Sequence, residues 1–487
     1  MTDTLAPPIP GAAPSSTDQI ERARRLFAVQ REARWRVAAT GPRERRARLR
    51  ALRDALLRHR AELHAAVYAD FRKNAAEFDL TELQVVLAEI RHAVHHLRRW
   101  MRPKRVSTPV LLAHARSHVQ YEPKGQALIL SPWNYPLLLT FAPLVAAVAA
   151  GNCVILRPSE KVPHTSRVMG RIIAGAFPED EAALVEGEVD VADALLAMPF
   201  DHVFFTGSTA VGRRVMRAAA EHLATVTLEL GGKSPAILDR SADVRTAAER
   251  ITWSKFVNAG QTCVAPDYVL LHASQALEFA SIAAETLTRM YGVNRRASTS
   301  LPRLIDDAAY HRLTRAVDGT VAAGARIAAG GDRDADERYL APTLLADVPP
   351  HAPIMDEEIF GPVLPIVSYR DLDQALAMVN ARPKPLALYV FARDRRAARR
   401  IVAGTRAGGT VVNNAIVHLG NPDLPFGGTG ESGQGSYHGF HGFRAFSHER
   451  AVLVQGRLSL TKLLYPPYDT PRVRRLTDLL VRWQARP

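Results

Sequence analysis

The feature that most constrains the fold is a regular alternation of short apolar runs with segments long enough to form helices. Roughly 20 residues separate the first two runs, which is enough for a helical crossover between parallel strands. The runs of the first group lie at residues 127–130, 154–156, 202–205, 225–230 and 236–238. Those of the second group lie at residues 268–271, 363–367, 388–391 and 410–413. The alternation predicts an α/β protein with a doubly wound parallel sheet, followed by a second α/β unit.

A chain of 487 residues is too long for one hydrophobic core, so we expect several domains. The predicted divisions are a disordered tail at 1–19, a first domain at 20–230, a second domain at 231–425 and a C-terminal segment at 426–487. Within them, the patterns predict helices over 20–100, a link with an extended piece at 103–123, a strand at 447–455 and an amphipathic helix at 471–484. The tail lacks the basic and apolar regions of a signal peptide.

Composition argues against several classes of protein. The formal net charge is +14, but the Arg residues are spread along the chain without a block of like charges, so we expect no nucleic-acid partner. The chain has 2 Cys residues, which excludes a disulfide-rich scaffold and a Cys-rich zinc site and indicates a reducing, cytoplasmic compartment. His92, His95 and His96 share a helix without supporting carboxylates, which predicts a solvated or partner-facing surface and no metal site.

Residues 136–156 form an uncharged stretch that is long enough to span a bilayer. However, Pro136 and Pro143 lie in its first half, and Gly151 and Asn152 interrupt it near the end. A buried helix that ends at Gly151, followed by a buried strand, accounts for this pattern better. We therefore predict no transmembrane segment.

A glycine turn follows the third apolar run. Gly207 and Gly212 enclose Ser208, which can cap the helix that comes next. Strand, turn and helix N-terminus together would form an anion site for a phosphate. The turn is not the dinucleotide fingerprint, because residue 209 is Thr, and it is not a P-loop. An ordinary tight turn therefore stays open as the alternative.

The candidate nucleophile is one of the two cysteines. Cys263 lies in the polar loop NAGQTCVAP, whose amide groups can stabilise a thiolate. Cys153 lies in an apolar run and is more simply a core residue. Burial in the core is the alternative for Cys263 as well.

Polar side chains also occupy strand ends and turns, where α/β domains place their chemistry. Glu229 ends the apolar run TVTLE, where a solvated carboxylate is unexpected. Glu358 lies in EEIFGP, beside Phe360 and a turn. Asn134, in SPWNYP, offers a side-chain amide in a loop bounded by prolines, which suits it to hold an oxyanion.

These strings occur together in a known family. The segments LSPWNYP, GNCVILRPSE, FFTGSTAVG, LELGGKSP, NAGQTCVAPDY, EEIFGPVLPI and LPFGGTGESGQGSYHG follow the family's order. From about residue 20 to residue 468, the chain resembles the aldehyde dehydrogenase superfamily. GQTCVAPDY, NPDLPFGG and the late YPPY resemble its class 3 group, which includes fatty-aldehyde and coniferyl-aldehyde dehydrogenases. The resemblance implies a Rossmann-like NAD(P)-binding domain, an α/β catalytic domain and a small bridging element that supports a homodimer.

The resemblance also implies a role for each candidate. Cys263 would attack the aldehyde, and Asn134 with the backbone N–H of Cys263 would stabilise the thiohemiacetal oxyanion. Glu229 would activate the water that hydrolyses the thioester. Glu358 matches a residue that binds the nicotinamide ribose and that is also discussed as a base. The other residues implied to bind NAD or NADP are Trp133, Phe360, Gly207, Ser208, Gly212, Arg157 and Glu160.

One position departs from the family's K-P-S-E pattern. Arg157 replaces the Lys while Glu160 is kept, so we expect both cofactors to work, with NAD moderately preferred. The alternative enzyme is a CoA-acylating aldehyde dehydrogenase, which usually lacks the Glu at the position of Glu229. A non-enzymatic relative would lack Cys263, Asn134 or Glu229, and all three are present.

Overall fold

The computed structural model describes residues 15–485. Its helices are α1 (Ser16–Ala38), α2 (Pro42–Arg58), α3 (Arg60–Phe71), α4 (Ala75–Phe78), α5 (Gln84–Trp100), α6 (Pro136–Ala150), α7 (Pro163–Ala176), α8 (Val189–Leu196), α9 (Thr209–Ala220), α10 (Val244–Phe256), α11 (Ala276–Tyr291), α12 (Asp307–Ala322), α13 (Leu372–Asn380), α14 (Arg395–Gly404), α15 (Gly439–Ala445) and α16 (Pro471–Gln484). Its strands are β1 (Lys104–Val106), β2 (Ala115–Pro123), β3 (Gln126–Ser131), β4 (Cys153–Pro158), β5 (Ala182–Leu184), β6 (His202–Thr206), β7 (Thr225–Glu229), β8 (Pro235–Leu238), β9 (Tyr268–His272), β10 (Arg326–Ala329), β11 (Arg333–Asp334), β12 (Tyr339–Leu340), β13 (Thr343–Ala346), β14 (Val363–Tyr369), β15 (Ala387–Phe391), β16 (Gly409–Val412), β17 (Gly433–Gln434) and β18 (Ser447–Gln455).

Six strands form the first sheet, in the order β17–β7–β6–β3–β4–β5. All neighbours are parallel except β17, which pairs antiparallel with β7. Strands β3, β4 and β6 are buried along their whole length, which explains why they read as continuous apolar runs. The strand order reverses between β3 and β6, and such a reversal marks the crevice where doubly wound sheets bind ligands. The predicted doubly wound α/β sheet is confirmed.

Seven strands form the second sheet, in the order β10–β13–β14–β9–β8–β15–β16. Its neighbours are parallel except at the edge, where β10 pairs antiparallel with β13. The sequence analysis groups the apolar run at 236–238 with the first sheet, and this was wrong, because the run pairs with β9 and β15 as β8 of the second sheet. The chain leaves the first sheet after Glu229 and enters the second within a few residues. The connection carries Gly231 and Gly232 past the site described below.

The N-terminal helix begins earlier than the sequence analysis predicts. The Ser15 hydroxyl accepts a hydrogen bond from the Asp18 N–H (3.2 Å), and the Asp18 carboxylate accepts one from the Ser15 N–H (3.1 Å). This capping box satisfies two donors at the start of α1. The prediction of a disordered tail was therefore wrong for residues 15–19, because polar residues that resemble a tail are the helix cap. Residues 1–14 lie outside the described part of the chain.

The uncharged stretch forms α6 and β4, as predicted. Every residue of α6 is buried, and the helix ends at Gly151, which has a φ of 91°. The Arg45 guanidinium donates to the carbonyls of Ala149 (3.0 Å) and Ala150 (2.6 Å) and so satisfies the helix C-terminus. Between residues 15 and 485, no helix is both long and apolar enough to cross a membrane.

Two elements near the C-terminus carry uncovered apolar surface. Strand β18 pairs antiparallel with β2, and β2 pairs with β1, in an outer sheet of three strands. All of β18 after Ser447 is exposed or half-buried. Helix α16 has no buried residue, and Leu479, Val481 and Trp483 are each more than half exposed. Both elements have the predicted bounds.

The histidines of α5 are less exposed than predicted. The rings of His92 and His96 pack on Trp100, and His92 Nε2 lies 3.6 Å from a carboxylate oxygen of Asp423. Of these three histidines, only His95 is exposed. Over residues 15–485, no group of three His, Cys, Asp or Glu side chains is placed to hold a metal ion.

Candidate active site

The candidate residues meet at the carboxyl ends of parallel strands in the first sheet. Trp133 and Asn134 follow β3, Glu160 follows β4, Gly207 follows β6 and Glu229 ends β7. Because carboxyl ends of parallel strands lie at one edge, residues far apart in the sequence become neighbours. The loop between α10 and β9, which carries the cysteine, reaches the same edge.

The loop that carries Cys263 begins with a strained turn after α10. Asn258 and the residue after it adopt left-handed conformations, with φ of 55° and 53°. At Gly260, φ is 72° and a Cβ would collide with the carbonyl of Gly361. The turn is held from outside, because the Asn258 N–H donates to the Glu77 carboxylate (2.8 Å). Strain of this kind persists where surrounding contacts enforce it, often at functional sites.

The polar side chains of this loop bind other parts of the protein instead of the thiol. Asn258 Nδ2 donates to the Asn134 carbonyl (2.8 Å), Gln261 Nε2 donates to the Arg303 carbonyl (3.1 Å), and the hydroxyls of Thr262 and Tyr135 share a hydrogen bond (2.7 Å). The amide groups that the sequence analysis expects around the thiolate therefore hold the loop in shape.

The two cysteines differ in position. Cys263 is half-buried in the loop, whereas Cys153 is fully buried in β4. Removal from water, together with the charges of Glu358 and Glu229, raises the pKa of Cys263 to about 12, although its own backbone N–H and that of Val264 lower it. The thiol therefore rests protonated and needs a base, which differs from the expected amide-stabilised thiolate.

Asn134 is placed beside the cysteine loop. It is 2% exposed, and its Nδ2 donates to the Gln261 carbonyl (3.0 Å). An amide nitrogen carries two hydrogens, so one is left for a second acceptor. A side-chain amide and the backbone N–H of Cys263, the donors expected for an oxyanion, thus belong to two loops that are hydrogen-bonded to each other.

Glu229 is almost fully buried at the end of β7, with 2% exposure. Neither of its carboxylate oxygens has a hydrogen-bond partner in the described part of the chain. Burial raises the pKa of Glu229 well above its usual value, because removal from water disfavours the charged carboxylate. When Glu229 is ionised, its charge raises the pKa of Cys263, which makes the two groups electrostatic neighbours.

Glu358 lies against the connection between the two sheets. A Cβ on Gly231 would collide with its carboxylate, which explains why glycine stands there. Burial and the charge of Asp267 raise the pKa of Glu358 to about 8, whereas the backbone N–H of Gly232 and two nearby lysines lower it. Because its charge also raises the pKa of Cys263, a second carboxyl group acts on the thiol.

The glycine turn after β6 is tied to the same strand end. The Gly207 N–H donates to the Glu229 carbonyl (3.0 Å), and the Ser208 hydroxyl caps α9 (3.4 Å). A Cβ on Gly212 would lie 2.6 Å from the Leu230 side chain, so glycine allows the helix to pack closely on the strand. The N–H groups in the first turn of α9 fit a phosphate group.

Two pairs of predicted cofactor residues contact each other. The rings of Trp133 and Phe360 meet edge to face, with centroids 5.5 Å apart. Arg157 Nη2 donates to a Glu160 carboxylate oxygen (2.9 Å) and to the Gly187 carbonyl (2.7 Å). Arg157 is buried and engaged, whereas Glu160 is exposed.

The N-terminus of α9, Glu160 and the Trp133–Phe360 pair together fit a dinucleotide. The N-terminus of α9 offers N–H donors for a pyrophosphate, and Glu160 offers a carboxylate for ribose hydroxyls. The Trp133–Phe360 pair offers an apolar border for a flat ring. Trp133, Glu160 and α9 follow strands at the edge that also holds Glu229, and Phe360, which precedes β14 of the second sheet, reaches that edge through its contact with Trp133.

Sequence analysis missed several buried charges near the site. Lys73 and Glu82 form a fully buried ion pair (2.7 Å), and Glu82 also accepts hydrogen bonds from two N–H groups at the start of α6. Lys255, on α10, is fully buried 3.9 Å from Asp267. For Lys255, its position in the helical segment ITWSKF was the signal that could have revealed it, whereas Lys73 stands between Arg72 and Asn74 in a connection that offers no such signal.

Comparison with known proteins identifies the family. Residues 11–452 match the model of the aldehyde dehydrogenase family. The chain is 41% identical over 471 residues to human aldehyde dehydrogenase family 3 member B1, covering 96% of this chain and 97% of that protein. It is 41% identical over 477 residues to a probable coniferyl aldehyde dehydrogenase of Pseudomonas aeruginosa, covering 96% and 98%.

A solved structure shares the fold. The substrate-bound state of Staphylococcus aureus AldH aligns with a TM-score of 0.90 at 40% identity and covers 94% of this chain and 99% of that chain. The relatives carry the class 3 resemblance that the sequence motifs indicate. The chain therefore belongs to the aldehyde dehydrogenase family, whose members are oxidoreductases that act on aldehydes, and its relatives are those of the class 3 group.

Proposed function

We propose that this enzyme oxidises an aliphatic or aromatic aldehyde to its carboxylic acid through a thiohemiacetal and a thioester on Cys263. The observation that carries the proposal is one edge of the first sheet where a half-buried thiol, an amide donor and two carboxyl groups meet. The other cysteine, Cys153, is fully buried at the start of β4, the opposite end of the strand from this edge.

Cys263 supplies the nucleophile. Because the thiol rests protonated, its proton must leave as Sγ attacks the aldehyde carbon, and Glu358 and Glu229 are the carboxyl groups whose charges reach it. As the C–S bond forms, negative charge develops on the aldehyde oxygen. Asn134 Nδ2 and the Cys263 N–H are the donors that stabilise it.

NAD or NADP would be held along the same edge. The N-terminus of α9 would bind the pyrophosphate, Glu160 the adenine ribose, and Trp133 and Phe360 would border the nicotinamide. When bound, the cofactor supplies the hydride acceptor that turns the thiohemiacetal into a thioester.

Glu229 acts in the second half of the reaction. Its carboxyl group has no partner within residues 15–485, so as a carboxylate it is available to take a proton from a water molecule. That water attacks the thioester carbon, the C–S bond breaks, and the acid leaves with the thiol restored.

A direct test is a screen of the purified protein with aliphatic and aromatic aldehydes, NAD and NADP, in which the carboxylic acid is measured. A CoA-acylating enzyme would form an acyl-CoA and would need CoA for turnover. We expect the free acid, because Glu229 is present. Absence of turnover with every aldehyde would favour a non-enzymatic relative.

For cofactor choice, we propose a moderate preference for NAD. Arg157 is bound by Glu160 and Gly187, so its guanidinium is not free for a 2′-phosphate, while the Glu160 carboxylate would repel one. Glu160→Gln removes the repulsion and releases Arg157. We expect the ratio of kcat/KM for NADP to that for NAD to rise by roughly tenfold or more, about 1.4 kcal/mol.

The matched control is Glu188→Gln, which removes an exposed carboxylate next to Gly187 and should leave the ratio within about twofold. A wild-type preference for NADP above about 100-fold would contradict the proposal, because the Arg157 charge would then dominate.

We propose a homodimer in which a second subunit covers the outer sheet and α16. Strand β18 is exposed on both faces, and α16 has apolar side chains between the arginines Arg472, Arg474, Arg475 and Arg482. Light scattering should give twice the chain mass for the full chain.

The alternative cover for α16 is an anionic membrane surface. We expect no flotation with anionic liposomes, for the full chain or for a chain that ends at Tyr468, because the second subunit of the proposed homodimer would cover the apolar stripe of α16. This agrees with the cytoplasmic location that the sequence predicts. Salt-sensitive flotation that is lost on truncation would contradict it.

A further inference from the structure

Lys255 lies in the last turn of α10, just before the loop that carries Cys263, and its side chain has no solvent exposure. Within residues 15–485, its Nζ makes no hydrogen bond. The nearest carboxylate oxygen is Oδ1 of Asp267, at 3.9 Å. A buried ammonium group without a hydrogen bond is costly, so its retention needs a reason.

Asp267 does not satisfy Lys255, because both of its oxygens are in use. Lys233 Nζ donates to Oδ2 (2.5 Å), and the Ile359 N–H donates to Oδ1 (3.0 Å). Lys233 also donates to the carbonyls of Glu357 (2.7 Å) and Ile354 (3.0 Å). Lys233 therefore holds residues 354–359 in place, whereas the ammonium group of Lys255 has no hydrogen-bond partner within residues 15–485.

The charge of Lys255 reaches Glu358, where it adds to the larger effects of the Gly232 N–H and Lys233, which also lower the pKa of that carboxyl group. Lys255 lies beside the oxygen that binds the N–H of Ile359, the residue directly after Glu358. Burial raises the pKa of Glu358 to about 8 and lowers that of Lys255 to about 8, while the charge of each counteracts the effect of burial on the other. The charged groups that act on Lys255 are Asp267, Lys233 and Glu358.

We propose that Lys255 is a positioning residue for the reaction, whose buried ammonium group keeps Glu358 able to ionise and so preserves it as an acceptor for the Cys263 proton. The inference rests on the proposed function. In the step, the S–H bond of Cys263 breaks and its proton passes to the Glu358 carboxylate. Lys255 keeps its own proton, and no electrons leave the three groups.

The test is infrared difference spectroscopy of the whole enzyme, wild type minus Glu358→Gln, which isolates the Glu358 carboxyl band. We expect the protonated band to convert to carboxylate with a midpoint of about 8 in the wild type. In Lys255→Met, the midpoint should rise by about one pH unit or more, a tenfold change in proton affinity. Lys255→Arg should keep the wild-type midpoint, and so should Lys124→Met, which removes a partly buried lysine beside His202.

Kinetics give a second readout. At neutral pH, Lys255→Met should lower kcat by roughly tenfold with the KM for NAD changed less than about threefold, and the loss should shrink as pH rises. Damage to the fold would not recover with pH. An unchanged Glu358 midpoint in Lys255→Met would overturn the proposal.

If Lys255→Met does not fold, the titration midpoints of Glu358 in the wild type and in Lys255→Arg test the proposal. A Glu358 band that stays protonated to about pH 10 is the behaviour of a buried carboxyl group without a counter-charge, and it would overturn the proposal. A midpoint near 8 in both proteins would support it. Because the spectra need neither aldehyde nor cofactor, their outcome is independent of whether the enzyme oxidises aldehydes.

Discussion

Cys263→Ala is expected to abolish aldehyde oxidation, with kcat/KM falling by roughly 10³-fold or more, because no thiohemiacetal can form. The substitution shortens a half-buried side chain by one atom, and no polar side chain of the loop depends on the thiol. The loop and the cofactor site should therefore stay intact. Steady-state kinetics with a good aldehyde, together with NAD binding measured by fluorescence, checks both parts.

The matched control is Cys153→Ala. Cys153 is buried in β4, and burial raises its pKa to about 12, so it is unsuited to react. We expect turnover within a few-fold of wild type and a loss of stability of about 1 kcal/mol. Labelling with iodoacetamide and peptide mapping should find Cys263 modified first. Faster labelling of Cys153 in the folded enzyme would contradict the assignment of the nucleophile.

The positions of the main strands could be predicted because strands of a parallel sheet are buried on both faces and read as apolar runs. Strand β6 is an example, with all five residues buried. The start of α1 could not be predicted, since a cap made by Ser15 and Asp18 has the composition of a polar tail. A cap is recognised by its hydrogen bonds, which composition does not reveal.

For the site, the residue types could be predicted but their environments could not. Cys263, Glu229 and Asn134 each stand at a strand end or in a turn, which their own segments reveal. The state of the thiol depends on which donors remain free, and Asn258 is engaged by Asn134 from another segment. The state of Lys255 depends in the same way on distant residues. Contacts between distant segments decide these properties, and no local pattern encodes them.

Glu229→Gln is expected to slow thioester hydrolysis by roughly 10² to 10⁴-fold while leaving the oxidation step largely intact. Gln has the same shape as Glu but cannot accept a proton from water. Rapid mixing should then show a burst of reduced cofactor close to one per active site, followed by a slow phase. A mutant that turns over at the wild-type rate would show that Glu358 or another group is the base.

The pH dependence distinguishes a base from a packing residue. Burial raises the pKa of Glu229 well above its usual value, so the carboxylate form, which alone can accept a proton, grows as the pH rises. Wild-type hydrolysis should therefore accelerate with pH, whereas Glu229→Gln should lose that part of the profile. If Glu358 were the base, its ionisation near pH 8 would produce the rise in the Glu229→Gln enzyme too, and Glu358→Gln would abolish it. Comparing the two variants over the same pH range assigns the base. If Glu229 is the base, only Glu229→Gln loses the rise of the hydrolysis rate with pH, and if Glu358 is the base, only Glu358→Gln loses it.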